Sequence, residues 1–412
     1  LKFATNLITI CCTLILFLLS GTGYGQKTDF SKVPGTIVAY SPAASGRYIG
    51  SPSICTLPNG DYVASHDFFG PESNEHVKAT SRVYTSSDQG KSWKQISEVD
   101  GQFWSKLFTH RGALYFLGTD RHHGNMIIRK STDHGKTWTE PEDDKQGLIR
   151  AGEYHCAPMP VIEHEGRLWR AMEYAKANTT KWGKRYSAFM MSIPVEADLL
   201  NAANWTGSNK LGYDSTYLDG HFGGWIEGNA VLTPKGEIID LLRADNTQEN
   251  AQDKAAIVHI SPDGKKATFN PETDFLDFPG GSKKFTIRYD SASQRYWTIA
   301  NYIPEEFKGE TRPARIRNTQ ALCSSPDLRN WTVHKILLQH PDVEKHGFNY
   351  VDWQFEGNDM IFLSRTAYDD GVGGAENFHD ANFLTFHRIK NFRKLDKKTL
   401  EVFENSLSTV SN

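Results

Sequence analysis

Arg243, Arg315 and Arg317 supply fixed cations, and His66, His123, His155 and His221 fall at turns or strand-like ends from which a side chain can reach a shared cleft. Glu227 precedes Arg243 within one segment, and Tyr350 stands in Phe348-Asn349-Tyr350-Val351-Asp352-Trp353. A neutral imidazole accepts a proton near pH 7, and a guanidinium holds a carboxylate through paired hydrogen bonds. This pairing suits β-elimination at a uronic acid. The cation neutralises the carboxylate on C5, a base removes the acidified C5 proton, and the group on C4 departs with help from an acid. The departing group is a sugar in a lyase and water in a dehydratase; both leave a 4,5-unsaturated uronate. Trp182, Trp225 and Trp353 have the flat apolar faces on which sugars stack.

Residues so far apart meet only if a scaffold gathers them. Two octapeptides describe that scaffold: Ser86-Ser87-Asp88-Gln89-Gly90-Lys91-Ser92-Trp93 and Ser131-Thr132-Asp133-His134-Gly135-Lys136-Thr137-Trp138. Each follows an apolar strand-like run and has the chemistry of a tight turn. The Asp accepts bonds from nearby backbone N–H groups, the Gly takes a positive φ, and the Trp opens the next strand. Turns recur at Asn59-Gly60, Arg111-Gly112, Glu165-Gly166, Lys235-Gly236, Ser291-Ala292-Ser293 and Gly357-Asn358. Degraded octapeptides recur at Asp198 to Thr206, Ser261-Pro262-Asp263-Gly264 and Ser325-Pro326-Asp327. The repeat predicts six units of short strands, with the connection from Gly207 to Gly224 long enough for a seventh. Thr36 to Tyr40 is expected to pair with the last unit and close the ring. The expected architecture is all-β: a single β-propeller of six or seven four-stranded blades at 26–390, after a signal segment at 1–25 and before a charged tail at 391–412.

The octapeptide is the Asp-box, and through it the chain resembles the sialidase superfamily. That resemblance implies a substrate carboxylate held by three arginines, a Tyr–Glu nucleophile pair and an Asp acid/base. Trp225-Ile226-Glu227-Gly228-Asn229 with Arg243 is similar to the family's Glu and second arginine. Arg315-Ile316-Arg317-Asn318 resembles the region of the third arginine, and Tyr350 falls where the nucleophile would. The opening motif departs: where sialidases read Arg-Ile-Pro-Ser, this chain has Ile49-Gly50-Ser51-Pro52-Ser53. That phrase, with Ser65-His66-Asp67-Phe68-Phe69-Gly70 and Phe278-Pro279-Gly280-Gly281-Ser282-Lys283-Lys284, resembles the propeller lyases that cut ulvan and related rhamnose–glucuronate glycans. This second resemblance implies that Arg243 clamps the carboxylate and that His155 is the family's histidine, with Glu227 where those lyases carry a Tyr. The expected roles are Arg243 as clamp, His123 or His155 as base or relay, and Tyr350 or His66 assisting the leaving group. Glu227, Trp225, Arg315, Arg317 and His221 are expected to bind substrate. An exo-sialidase or rhamnosidase-type hydrolase, and a non-catalytic carbohydrate-binding propeller, remain as alternatives.

A formal net charge of -3 gives no pull toward nucleic acid. Lys2, the apolar run at 8–19 and the small residues before Gln26 predict a cleaved secretory signal, hence a secreted or periplasmic protein without a membrane anchor. A monomer is expected, with a uronate-containing oligosaccharide or polysaccharide as its partner. Cys55, Cys156 and Cys323 are odd in number and far apart, which predicts buried free thiols. The chemistry requires no cofactor. A bound calcium or zinc ion is left open, with Asp369-Asp370 the one candidate for calcium.

Overall fold

The computed structural model describes residues 27–248 and 252–405. The expected signal at 1–25 lies outside the described residues. The described residues form six antiparallel sheets in chain order, and these are the blades of a six-bladed propeller. Middle strands such as Ala113–Thr119 are buried along their whole length, because both sheet faces pack on neighbouring blades. Outer strands such as Lys94–Asp100 are largely exposed or half-buried, as an edge must be. The apolar core is accordingly divided into slabs between blades. One slab joins Leu117 and Ile128 of the second blade to Met172 and Phe189 of the third.

Ring closure follows the expectation. Thr36–Tyr40 pairs antiparallel with Phe383–Ile389, so the chain's first strand is the outermost strand of the sixth blade. No seventh blade forms among the described residues. The connection from Gly207 to Gly224 instead packs Tyr213 and Tyr217 onto Phe222, and Tyr217 onto Trp225. Beyond the sixth blade, Glu401–Phe403 pairs with Trp331–Gln339 and adds a fifth strand to blade five.

Both Asp-boxes close in the same way. Ser92 N–H and Thr137 N–H each donate to the box Asp Oδ1 at 2.9 Å, and the Ser92 and Thr137 hydroxyls donate to Oδ2 at 2.6 Å. Gly90 and Gly135 hold φ of 86° and 91°. In blade five the same turn closes on Asp327 with Leu328, not glycine, at φ 69°. The boxes follow the third strand of each blade, at the end of the sheets opposite the start of the innermost strands. They brace the scaffold and leave the other end free for chemistry.

Cys55, Cys156 and Cys323 are buried and free, as expected. Trp225 and Trp353 are also buried, their indole N–H groups donating to Leu211 and Thr286 carbonyls. Trp225 packs edge-on to Phe222 and Phe269, so its expected role in binding sugar gives way to one in the core.

Candidate active site

Alternate blades build the site with one backbone device. The innermost strands of blades two, four and six are Phe103–His110, Phe222–Leu232 and Gly347–Glu356. Each breaks register with its neighbour near its start. At each break a non-glycine residue takes a positive φ: Trp104 at 51°, Glu227 at 62° and Tyr350 at 54°. Such backbone costs about 1–3 kcal/mol per residue and persists only where its surroundings enforce it. Here it points three side chains into one cavity of about 140 Å³ at the ring's centre.

Arg365 lines this cavity, and Arg243 and Arg317, which line an adjoining one, back it through Glu227 and Tyr350. Arg243 donates to Glu227 Oε2 at 3.0 Å, both groups buried. Burial alone would raise the Glu227 carboxyl, but Arg243, His155 and Arg317 hold it below its ordinary value. Arg317 donates to Asn349 Oδ1 at 3.2 Å, and its guanidinium lies 5.8 Å from the Tyr350 ring centre. Arg365 is the addition that sequence reasoning missed. It lies on Asp359–Ala367, is held by the His379 carbonyl, and sits 4.6 Å from the Tyr350 ring and 4.3 Å from that of Phe69.

Arg365 also accounts for the absent first arginine. A Cβ at Gly50 would fall 1.6 Å from Asp67 Oδ1, so no side chain fits there. Asp67 is fixed by Ser51 N–H (2.6 Å) and Trp104 N–H (2.5 Å), and burial pushes its carboxyl up to about 6. The third guanidinium thus enters from blade six. Its signal was in the repeat: Arg243 pairs opposite Ile226 and Arg365 opposite Asn349, each the residue before a bulged one.

The facing wall, from blades two and three, carries imidazoles. His155 Nδ1–H donates to Glu173 Oε2 at 2.8 Å, and Glu173 Oε1 accepts Gly228 N–H at 3.0 Å. That carboxylate orients the ring through Nδ1, leaving Nε2 as the nitrogen that can exchange a proton with a ligand. His123 Nδ1–H donates to Glu75 Oε1 at 2.8 Å, while its Nε2 accepts the Tyr186 hydroxyl at 2.9 Å. Burial, aided by His122 and His155, presses the His123 imidazolium down to about 3, so the ring stays neutral. Burial raises the Tyr186 phenol, which stays protonated. The His123 and His155 rings lie 6.4 Å apart on the same face of the propeller.

Of the expected residues, His155, Glu227 and Tyr350 line the cavity, while Arg243 reaches it through Glu227, His123 through Tyr186 and Arg317 by packing on Tyr350. His66 does not. Its Nδ1–H donates to the Asp67 carbonyl and its Nε2 meets the Tyr84 hydroxyl, with the ring between Phe68 and Tyr84. Strand alternation turns its neighbour Asp67 into the cavity in its place. His221 is exposed at the foot of the blade-four strand, and Arg315 stands at the rim beside Glu344. Asp370 is occupied by Tyr40 O–H and by Val372 and Gly374 N–H, the bonding of a tied loop and not of an open calcium site.

No family model matches the chain, and no curated protein does. Solved structures match in fold. An α-L-arabinofuranosidase of Fusarium graminearum is 12% identical over 88% of this chain and 99% of its own, with a TM-score of 0.59. The Hadza microbial sialidase is 13% identical over 87% of this chain and 69% of its own (TM-score 0.57). An α-L-arabinanase of Penicillium chrysogenum is 15% identical over 88% of this chain and 98% of its own (TM-score 0.52). The chain is a six-bladed, sialidase-like propeller. At these identities the likeness is one of fold, and chemistry has to come from the site.

Proposed function

We propose that the protein is a carbohydrate-active enzyme acting on uronate-containing oligosaccharides by β-elimination. The observation that carries this reading is a cavity with the buried Arg365 guanidinium on one side, backed by Arg243 and Arg317, and the carboxylate-oriented His155 on the other. The uronate carboxylate lies against the guanidiniums, which lowers the cost of the carbanion-like transition state. His155 Nε2 takes the C5 proton, the C4–O bond breaks, and its departure leaves the C4–C5 double bond. Tyr186, held protonated by burial, gives its proton to the leaving oxygen, and the phenolate recovers a proton from solvent as the product leaves. We also propose export to the periplasm or medium, which N-terminal sequencing of the mature protein checks.

Incubation with glucuronate–rhamnose oligosaccharides, followed by ultraviolet absorbance and mass, tests the chemistry. Cleavage with new absorbance marks a lyase, and loss of water without cleavage marks a dehydratase. Addition of water without absorbance overturns elimination. That last outcome would favour a second reading, a retaining glycosidase of an anionic sugar. Its support is Tyr350 beneath Arg317 and Arg365, with buried Asp67 raised to about 6 as the acid.

A further inference from the structure

We propose that a second subsite beside the central cavity binds the neighbouring sugar of the substrate through an anionic substituent, a sulfate or a carboxylate. This rests on the reading of the central cavity as a uronate site. A cavity of about 430 Å³ adjoins that site and shares Trp182 and His379 with it. Arg243, Arg312, Arg315 and Arg317 line it, against the acids Asp245 and Asp380. Asp380 is already engaged by His379 Nδ1–H at 2.8 Å, and four guanidiniums against two carboxylates leave the cavity cationic.

Two features separate this cavity from the clamp. Arg312 is exposed and has no acidic partner among the described residues, while Arg315 has only the open pair with Glu344 at 3.6 Å. Neither guanidinium is needed to neutralise Glu227, which Arg243 serves. Trp182 stands between the two cavities with half its surface exposed and its ring over the Arg243 guanidinium at 4.9 Å. An exposed indole flanked by free guanidiniums suits a sugar ring that stacks by its C–H face and offers an oxyanion at its rim. A sugar in the central cavity would hand its neighbour directly to that platform.

The test uses the full-length protein with glucuronate–rhamnose tetrasaccharides prepared with and without sulfate on the neighbouring sugar, and with oligoglucuronates of the same length. Arg312→Ala, Arg312→Lys and Trp182→Ala are compared with wild type by calorimetric binding and by steady-state rates. The expected result is a rise in KM or Kd of about tenfold or more for Arg312→Ala on the anionic chain, partly restored by Arg312→Lys. Kcat should change far less. An effect confined to the sulfated chain identifies sulfate, and one confined to oligoglucuronate identifies carboxylate. Equal wild-type affinity for all the chains, with no response to Arg312→Ala, overturns the subsite. If no chain is turned over but binding still depends on charge and on Arg312, the subsite stands and the elimination reading falls.

Discussion

The two walls of the central cavity use the same physical cause to opposite ends. On both, burial opposes charge. On the blade-four to blade-six side, a guanidinium is too basic to give up its proton, so burial yields a dry, permanent cation balanced by Glu227. On the blade-two and blade-three side, an imidazole gives up its proton readily, so burial keeps His123 neutral, and Glu173 and Glu75 stand behind the His155 and His123 rings to fix their orientation. The comparison teaches that residue type and the position of the partner carboxylate, more than depth, decide whether a buried wall clamps or transfers protons.

The comparison breaks most visibly at Arg243. Arg243→Ala should abolish turnover and leave Glu227 buried without its cation, destabilising the fold by about 3–5 kcal/mol, read by chemical denaturation. His155→Asn should act on the other wall alone. Its amide can still donate to Glu173, yet the base is gone, so kcat should fall on the order of 10² to 10⁴ with little change in KM or melting temperature.

Acid should weaken the fold through its buried histidines, of which His122 and His123 belong to one wall. Burial presses His66 and His122 down to about 4, and His123, His379 and His387 to about 3. Unfolded, these histidines protonate near 6.5; folded, they resist until about 3–4. Their contribution is therefore complete above about pH 6.5 and is lost as pH falls toward 4, at up to about 1.4 kcal/mol per pH unit for each. Asp67, raised to about 6, runs the other way because its folded form holds a proton that its unfolded form releases. Melting temperature measured from pH 8 to 4 should drop steeply below 6.5, and less steeply in His123→Gln. The smallest effect is expected far from both walls. Asp133→Ala removes the Asp-box bonds from Thr137 and should cost about 1 kcal/mol of stability, leaving kcat unchanged in the same assay.

Much of the scaffold was legible because turn chemistry is local. The Asp-boxes and the six units depend on residues a few positions apart and appear where the repeat placed them, and the closing strand follows from the need to pair the last blade's edge. The site was legible where a side chain sits at a repeat-equivalent bulge, as Glu227 and Tyr350 do. It was illegible where the phase of a strand decides. His66 and Asp67 are adjacent, and the alternation that sends one into the cavity and the other into the blade has no marker in their types. The expectation that Trp225 binds substrate beside Glu227 failed for the same reason: the bulge inverts direction there. Tyr186 and Trp182 come from a long crossing between Arg167–Tyr174 and Ser187–Pro194, whose path periodicity does not describe. Arg365 was within reach, since aligning blade six on blade four superposes it on Arg243.

The pairing of Thr36–Tyr40 with the sixth blade also sets a clock. Thr36–Tyr40 can find its partner only after Phe383–Ile389 has been made, so it waits while the strands of five other blades are synthesised. Tyr350 and Arg365 belong to the blade that this late pairing completes. A nascent chain can therefore stack its early blades and still have no finished cavity until blade six is made.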